Sequence, residues 1–166
     1  MNTQAIQQLS MQKGVHTRHT DKQELAAFQP IIASPLVHPY FIMCLPTNVY
    51  SASGIRMLPL KWICEEAFEL VPGARLFAYG YIPIATSIGG NAICVRADGQ
   101  VFWADHDSWY DDYILFHNRE TDEWIELSGY SPAHVEQALV PLANNFEQFL
   151  FALLNDELTK QLEELD

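Results

Sequence analysis

The chain has 166 residues, 49% of them hydrophobic, enough to close one core without disulfide or metal staples. Its formal net charge of −12 is unevenly spread: residues 1–62 carry five basic and two acidic side chains, whereas residues 63–166 carry four basic and nineteen acidic ones. Such a C-terminal portion repels a phosphate polymer, which argues against nucleic acid as a partner, and it steers a basic protein toward itself.

The first elements are polar. Residues 1–30 read as one or two helical pieces, with Thr20 as a cap before Asp21 to Phe28 and Pro30 as the stop. Residues 31–58 are apolar but broken by Pro35, Pro39, Pro46 and Gly54, so short strands and turns are expected, with Tyr40 to Leu45 as a strand. Pro59 then opens a helix running to Leu70, because proline fits the first turn and Leu60, Ile63, Ala67 and Leu70 share one face. Pro72-Gly73 ends it, and Ala74 to Tyr79 and Tyr81 to Ala85 are read as strand segments separated by Gly80.

Gly89-Gly90-Asn91 marks a sharp turn, since these residues accept left-handed backbone angles. It leads into a hairpin of Ala92 to Val95 and Val101 to Ala104, two β-branched and aromatic runs joined through Asp98-Gly99. A second hairpin pairs Tyr113 to His117 with Trp124 to Leu127 around the polar tip 118–123. Near the C-terminus, Asn145 caps an amphipathic helix with Gln148 three residues on, and Phe146, Phe149, Leu150, Leu153, Leu154 and Leu158 form its apolar stripe. Strands in the middle and helices at the ends predict an α+β domain over residues 1–166, with helices packed on a mostly antiparallel or mixed sheet.

Cys44, Cys64 and Cys94 are odd in number and match neither a disulfide framework nor a zinc spacing, so buried free thiols are expected. The N-terminus lacks the basic start and apolar centre of a signal peptide, and no apolar run approaches the about 20 residues that span a bilayer. The expectation is a cytoplasmic protein with no membrane partner.

Three segments stand in one order: Gly80-Tyr-Ile-Pro-Ile-Ala85, the Gly89-Gly90-Asn91 turn with Gly99-Gln-Val-Phe-Trp-Ala-Asp-His-Asp107, and Leu142-Ala-Asn-Asn-Phe-Glu-Gln-Phe-Leu150. That order resembles the SUKH superfamily, which includes fungal cell-wall-assembly regulators of the Smi/Knr type and bacterial immunity proteins. The resemblance covers about residues 70–154, while residues 1–60 do not clearly carry the family's early Leu-Pro, aromatic and Asn-Gly pattern. It implies an α+β fold and, in bacteria, a protein that binds and neutralises a cognate toxin, often a nuclease or another enzyme with a basic site. It brings no shared catalytic set.

The residues themselves point the same way. No phosphate loop is present, because Gly89-Gly90-Asn91 lacks the further glycine and the lysine, and Ser87 does not sit in a nucleophile elbow. Asp105-His106-Asp107 could bind a metal or exchange protons, but the other histidines show no H-x-x-x-H spacing, so no catalytic residue, metal or cofactor is assigned. Residues 98–126 hold nine acidic side chains against the single Arg119, interleaved with Trp103, Trp109, Tyr110, Tyr113 and Trp124. Rings among charges of one sign match the pattern of interface hot spots. The expected partner contacts are Asp107, Trp109, Tyr110, Asp111, Asp112, Glu120, Asp122 and Glu123, with the acidic tail 163–166 only solvating the last helix. Two alternatives stay open: a metal-dependent hydrolase built on Asp105-His106-Asp107, and a regulatory adaptor.

Overall fold

Why the central strands are apolar on both sides is answered by what lies on each face of their sheet. The computed structural model describes residues 1–29, 31–163 and 165. In chain order it has α1 (Thr3–Gln12), β1 (Thr17–Arg18), α2 (His38–Met43), β2 (Leu45–Pro46), β3 (Tyr50–Ala52), β4 (Ile55–Met57), α3 (Leu60–Phe68) and α4 (Gly73–Phe77). There follow β5 (Tyr81–Ser87), β6 (Ala92–Arg96), β7 (Val101–Ala104), β8 (Tyr113–Asn118), β9 (Glu123–Ser128), α5 (Pro132–Ala138), β10 (Val140–Ala143), α6 (Phe146–Leu154) and α7 (Thr159–Glu163). Six strands form one antiparallel sheet in the order β10-β7-β6-β5-β4-β3, and β8 and β9 make a separate hairpin. The fold is α+β, and this sheet is antiparallel throughout.

Period-2 alternation sends successive side chains of one strand into two cores. Ile93 and Val95 of β6, with Val101 and Trp103 of β7, enter the larger core beneath α1, α2, α3 and α6. Ala92 and Cys94, with Phe102 and Ala104, enter a smaller core closed by Leu76 of α4, Val135 and Ala138 of α5, and Ile114 and Phe116 of β8. Covered on both faces, β5 to β7 are apolar along their middles and carry polar side chains at strand ends, at Tyr81, Thr86, Ser87 and Arg96. Each large side chain fully removed from water contributes roughly 1.5–3 kcal/mol.

The hairpin of β6 and β7 forms as the sequence predicts, with Gly99 at φ +82° in its turn. So do the β8–β9 hairpin and α6, whose Asn145 side chain accepts the Gln148 N–H. Helix α6 stops at Leu154, and Leu158 reaches the same core only after a turn through Asp156 at φ +62°.

Four expectations are corrected. Tyr40 to Leu45 is mainly helix α2, because Pro39 sits in a first turn and Val37, Tyr40, Phe41 and Cys44 recur at helical spacing toward the larger core. Ala74 to Tyr79 is not a strand: Gly73 starts α4, and a Cβ there would collide with the Glu66 carbonyl of α3. Only glycine permits that approach. Helix α3 ends at Phe68, and Leu70 is exposed because it lies past the helix. In the N-terminal part Asn2 caps α1, whereas the second piece is a turn held by Asp21 and Glu24 and ending in a single 3-10 turn, Ala26–Phe28. Thr20 is buried with its hydroxyl unpartnered, so it is no cap. The stop expected at Pro30, and Glu164 and Asp166 of the acidic tail, lie outside the described residues.

No described helix is long and apolar enough to cross a membrane. Cys44 and Cys94 are buried free thiols as expected, and Cys64 is half-buried.

Candidate functional site: the acidic hairpin and its flanking loop

Leaving β7, the chain makes a 3-10 turn, His106–Ser108, and runs back along β8 so that Trp109 bridges Ile114. The Asp105 carboxylate accepts the Asp107 N–H at 3.0 Å and caps that turn. Asn91, buried at the end of the Gly-Gly-Asn turn, accepts two bonds from His106 on its side-chain oxygen: the backbone N–H at 2.9 Å and Nδ1 at 3.1 Å. A backbone N–H can only donate, so this pair fixes the amide orientation and puts the Nδ1 hydrogen toward Asn91.

Asp105, His106 and Asp107 can each present one ligand atom within 4.8 Å of the others, so they are the residues that could hold a cation. Two of the three already carry structural bonds. Asp105 holds the turn, His106 holds Asn91, and His106 Nε2 lies 3.1 Å from the Asp107 carboxylate. The arrangement can tie the end of β7 to the preceding turn without further chemistry.

The following loop is pinned to the smaller core. Trp109 is only 5% exposed and lies against Tyr130, ring centroids 6.2 Å apart. Its ring therefore anchors the loop and is not presented to a partner. Tyr130 donates its hydroxyl to the Tyr110 carbonyl at 2.6 Å, and burial pushes its pKa up. Arg75 sits over the Tyr130 ring and donates to Asp111 at 2.6 Å, so the Asp111 charge is partly matched although its side chain is fully in solvent. Tyr110, 41% exposed, stacks on Tyr113.

From Tyr113 onward the hairpin has two unlike faces. Ile114 and Phe116 of β8, with Ile125 and Leu127 of β9, face the smaller core. Tyr113, Leu115 and His117, cross-paired with Ser128, Glu126 and Trp124, face outward. His117 lies against Trp124 at 5.3 Å and 3.0 Å from Asp122. Trp124 is 61% exposed. The outer face is thus a row of Tyr110, Tyr113, Leu115, His117 and Trp124 with Glu126 in its middle.

The expected contact residues fall into two groups along this row. Tyr110, Asp111 and Asp112 stand at one end of β8, and Glu120, Asp122 and Glu123 form the exposed tip at the other, a strand of six residues and about 17 Å away. Asp107 is exposed on the 3-10 turn beside β8. A cleft of about 400 Å³ between the tip and the start of β10 is lined by Asp105, Glu120, Phe116, Leu139 and Pro141 among others. Tyr113, Trp124 and Glu126 share this outer face, although they were not among the expected contacts. Their signal was in the sequence: residues at even spacing along a hairpin share a face, and Trp124 stands opposite to Ile125 and Leu127.

Comparison of the chain with protein-family models, with curated proteins and with solved structures found no match.

Proposed function

We propose that this chain is a non-enzymatic binding protein, an immunity protein of the SUKH type that neutralises a basic toxin domain by stoichiometric contact. The observation that carries the reading is the outer face of the β8–β9 hairpin. Exposed rings at Tyr110 and Trp124 stand in one row with Tyr113, and Asp112, Glu120, Asp122, Glu123 and Glu126 surround them. Rings supply area that is lost from water on binding, and like-signed carboxylates raise the rate of approach of a basic surface and discourage acidic competitors. The same surface suits covering a basic active site, which is how a toxin acting on a phosphate polymer would be blocked. The resemblance of residues 70–154 to the SUKH pattern supports the same class of partner.

The test is co-expression with the product of a neighbouring toxin gene. Growth is expected to be protected, and the purified proteins are expected to form a one-to-one complex. Reversing Asp112 and Glu123 to lysine should slow association several-fold at low salt and much less at high salt. Asp111 is a poorer choice for reversal because it already pairs with Arg75. Full protection by a variant carrying both reversals, with unchanged association rate, would remove this surface from the reading.

A further inference from the structure

The ladder between β8 and β9 fixes which backbone groups of β9 point away from β8. The Gly129 N–H donates to the Asp112 carbonyl at 2.7 Å, so those two residues form a hydrogen-bonded pair. Hydrogen-bonded and non-bonded pairs alternate in an antiparallel ladder. With the register running unbroken from Tyr113↔Ser128 to Asn118↔Glu123, Leu127, Ile125 and Glu123 turn their N–H and C=O groups toward β8. Trp124, Glu126 and Ser128 turn theirs outward. Among the described residues β9 pairs with β8 alone.

The edges at β3, β10 and β9 are not treated alike. Strand β3 is only three residues long. Strand β10 carries Pro141 and a register shift between Pro141 and Ala143. Shortness, proline and bulges are the ordinary means of closing an edge to further strands. Strand β9 has none of them: it is six residues, regular, and without proline or lysine. Its one guard is charge. A second copy of β9 laid antiparallel with Glu126 opposite its counterpart would set these two carboxylates against each other, whereas a basic strand would meet opposite charge.

We infer that the free edge of β9 takes up an extended, basic segment of the partner as an added strand. The outward N–H and C=O groups of Trp124, Glu126 and Ser128 supply main-chain hydrogen bonds, and side chains of the incoming strand alternate between the Trp124–Glu126 face and the opposite one. A Lys or Arg beside Glu126 and an aliphatic residue beside Trp124 complete the fit. This inference rests on the reading of a basic partner and adds the mode of contact to it.

The probe is a synthetic eight-residue peptide with Thr at every second position and Lys, Val, Arg and Val in turn at the others, so that basic and aliphatic side chains share one face, titrated into the full chain and followed by amide hydrogen exchange and amide NMR shifts. Added protection is expected at Trp124, Glu126 and Ser128. A peptide N-methylated at alternate amides, which keeps its charges but loses the edge donors, should bind at least about tenfold more weakly. Glu126→Pro removes an outward N–H without touching the β8 ladder and should weaken binding more than Glu126→Gln, which removes only the charge. Equal binding of the methylated peptide, shifts that map elsewhere, or no binding of the basic peptide would each overturn the inference. So would concentration-dependent self-association through β9, which would make a second copy the occupant. If Glu126→Pro unfolds the hairpin, seen as lost protection at Ile125 and Leu127, the two peptides on the wild-type chain still decide. The protection assay with the toxin is a separate readout: protection kept by Glu126→Pro sinks strand addition alone, whereas no protection by the wild-type chain sinks the immunity reading alone.

Discussion

The side-chain oxygen of Asn91 accepts both the backbone N–H and the Nδ1–H of His106, at 2.9 and 3.1 Å. One buried amide thus joins the turn before β6 to the end of β7 and sets the departure of the chain toward the acidic loop.

Asn91→Ala should lower unfolding free energy by about 1–3 kcal/mol, because the His106 N–H loses its acceptor in a partly buried place. Chemical denaturation measures this. His106→Ala keeps the backbone bond and should cost less, so the two variants separate the roles of backbone and ring.

The two tryptophans flanking β8 should behave oppositely. Trp109→Ala empties a buried site in the smaller core and is expected to cost about 3–5 kcal/mol. Trp124→Ala is on the outer face and should change stability by no more than about 0.5 kcal/mol while weakening partner binding. Thermal melts together with a binding titration distinguish them.

Acid should loosen the cluster that closes one end of the smaller core. Arg96 lies over the rings of Phe102 and Tyr81 and donates to Asp98, Gln100 and Glu136. Burial pushes the Asp98 carboxyl up, but its bonds from Arg96 and from the Gln100 N–H more than offset this and hold it below the usual carboxylate range. A carboxyl depressed in the folded state stabilises above its unfolded value and loses that contribution as pH falls through the folded one. The contribution is therefore present above about pH 4 and disappears below it. Wild-type melting temperature should fall further than that of Asp98→Asn as pH drops through this range.

The three thiols should differ in reactivity. Burial pushes Cys44 up to about 12 and raises Cys94 as well, which leaves almost no thiolate at neutral pH. Cys64 is half-buried on α3 and raised by burial and by Glu65. In the native protein one slow equivalent should react with a thiol reagent, and mass mapping should place it at Cys64. The other two should react only on unfolding.

Local signals explain most of what could be read ahead. Asp98-Gly99, the tip at 118–123 and the Asn145 cap are each specified by a few neighbouring residues, because turns and caps satisfy their own backbone groups. Short apolar runs carry no such signature. Tyr40 to Leu45 and Ala74 to Tyr79 suit a strand as well as a helix by composition, and packing against the larger core and against α3 decided both.

By itself the sequence determined the hairpins, the closing helix, the α+β class and the concentration of acidic residues near β8 and β9. Only the tertiary structure decided which rings face water. Trp109 and Trp124 are alike in an acidic, aromatic stretch, yet one bridges Ile114 and fills the smaller core while the other stands on the outer face. Exposure depends on strand pairing and on what covers each face, and those are set by segments distant in the chain: α4, α5 and the central sheet. The open edge of β9 is likewise visible only once every strand has its neighbours.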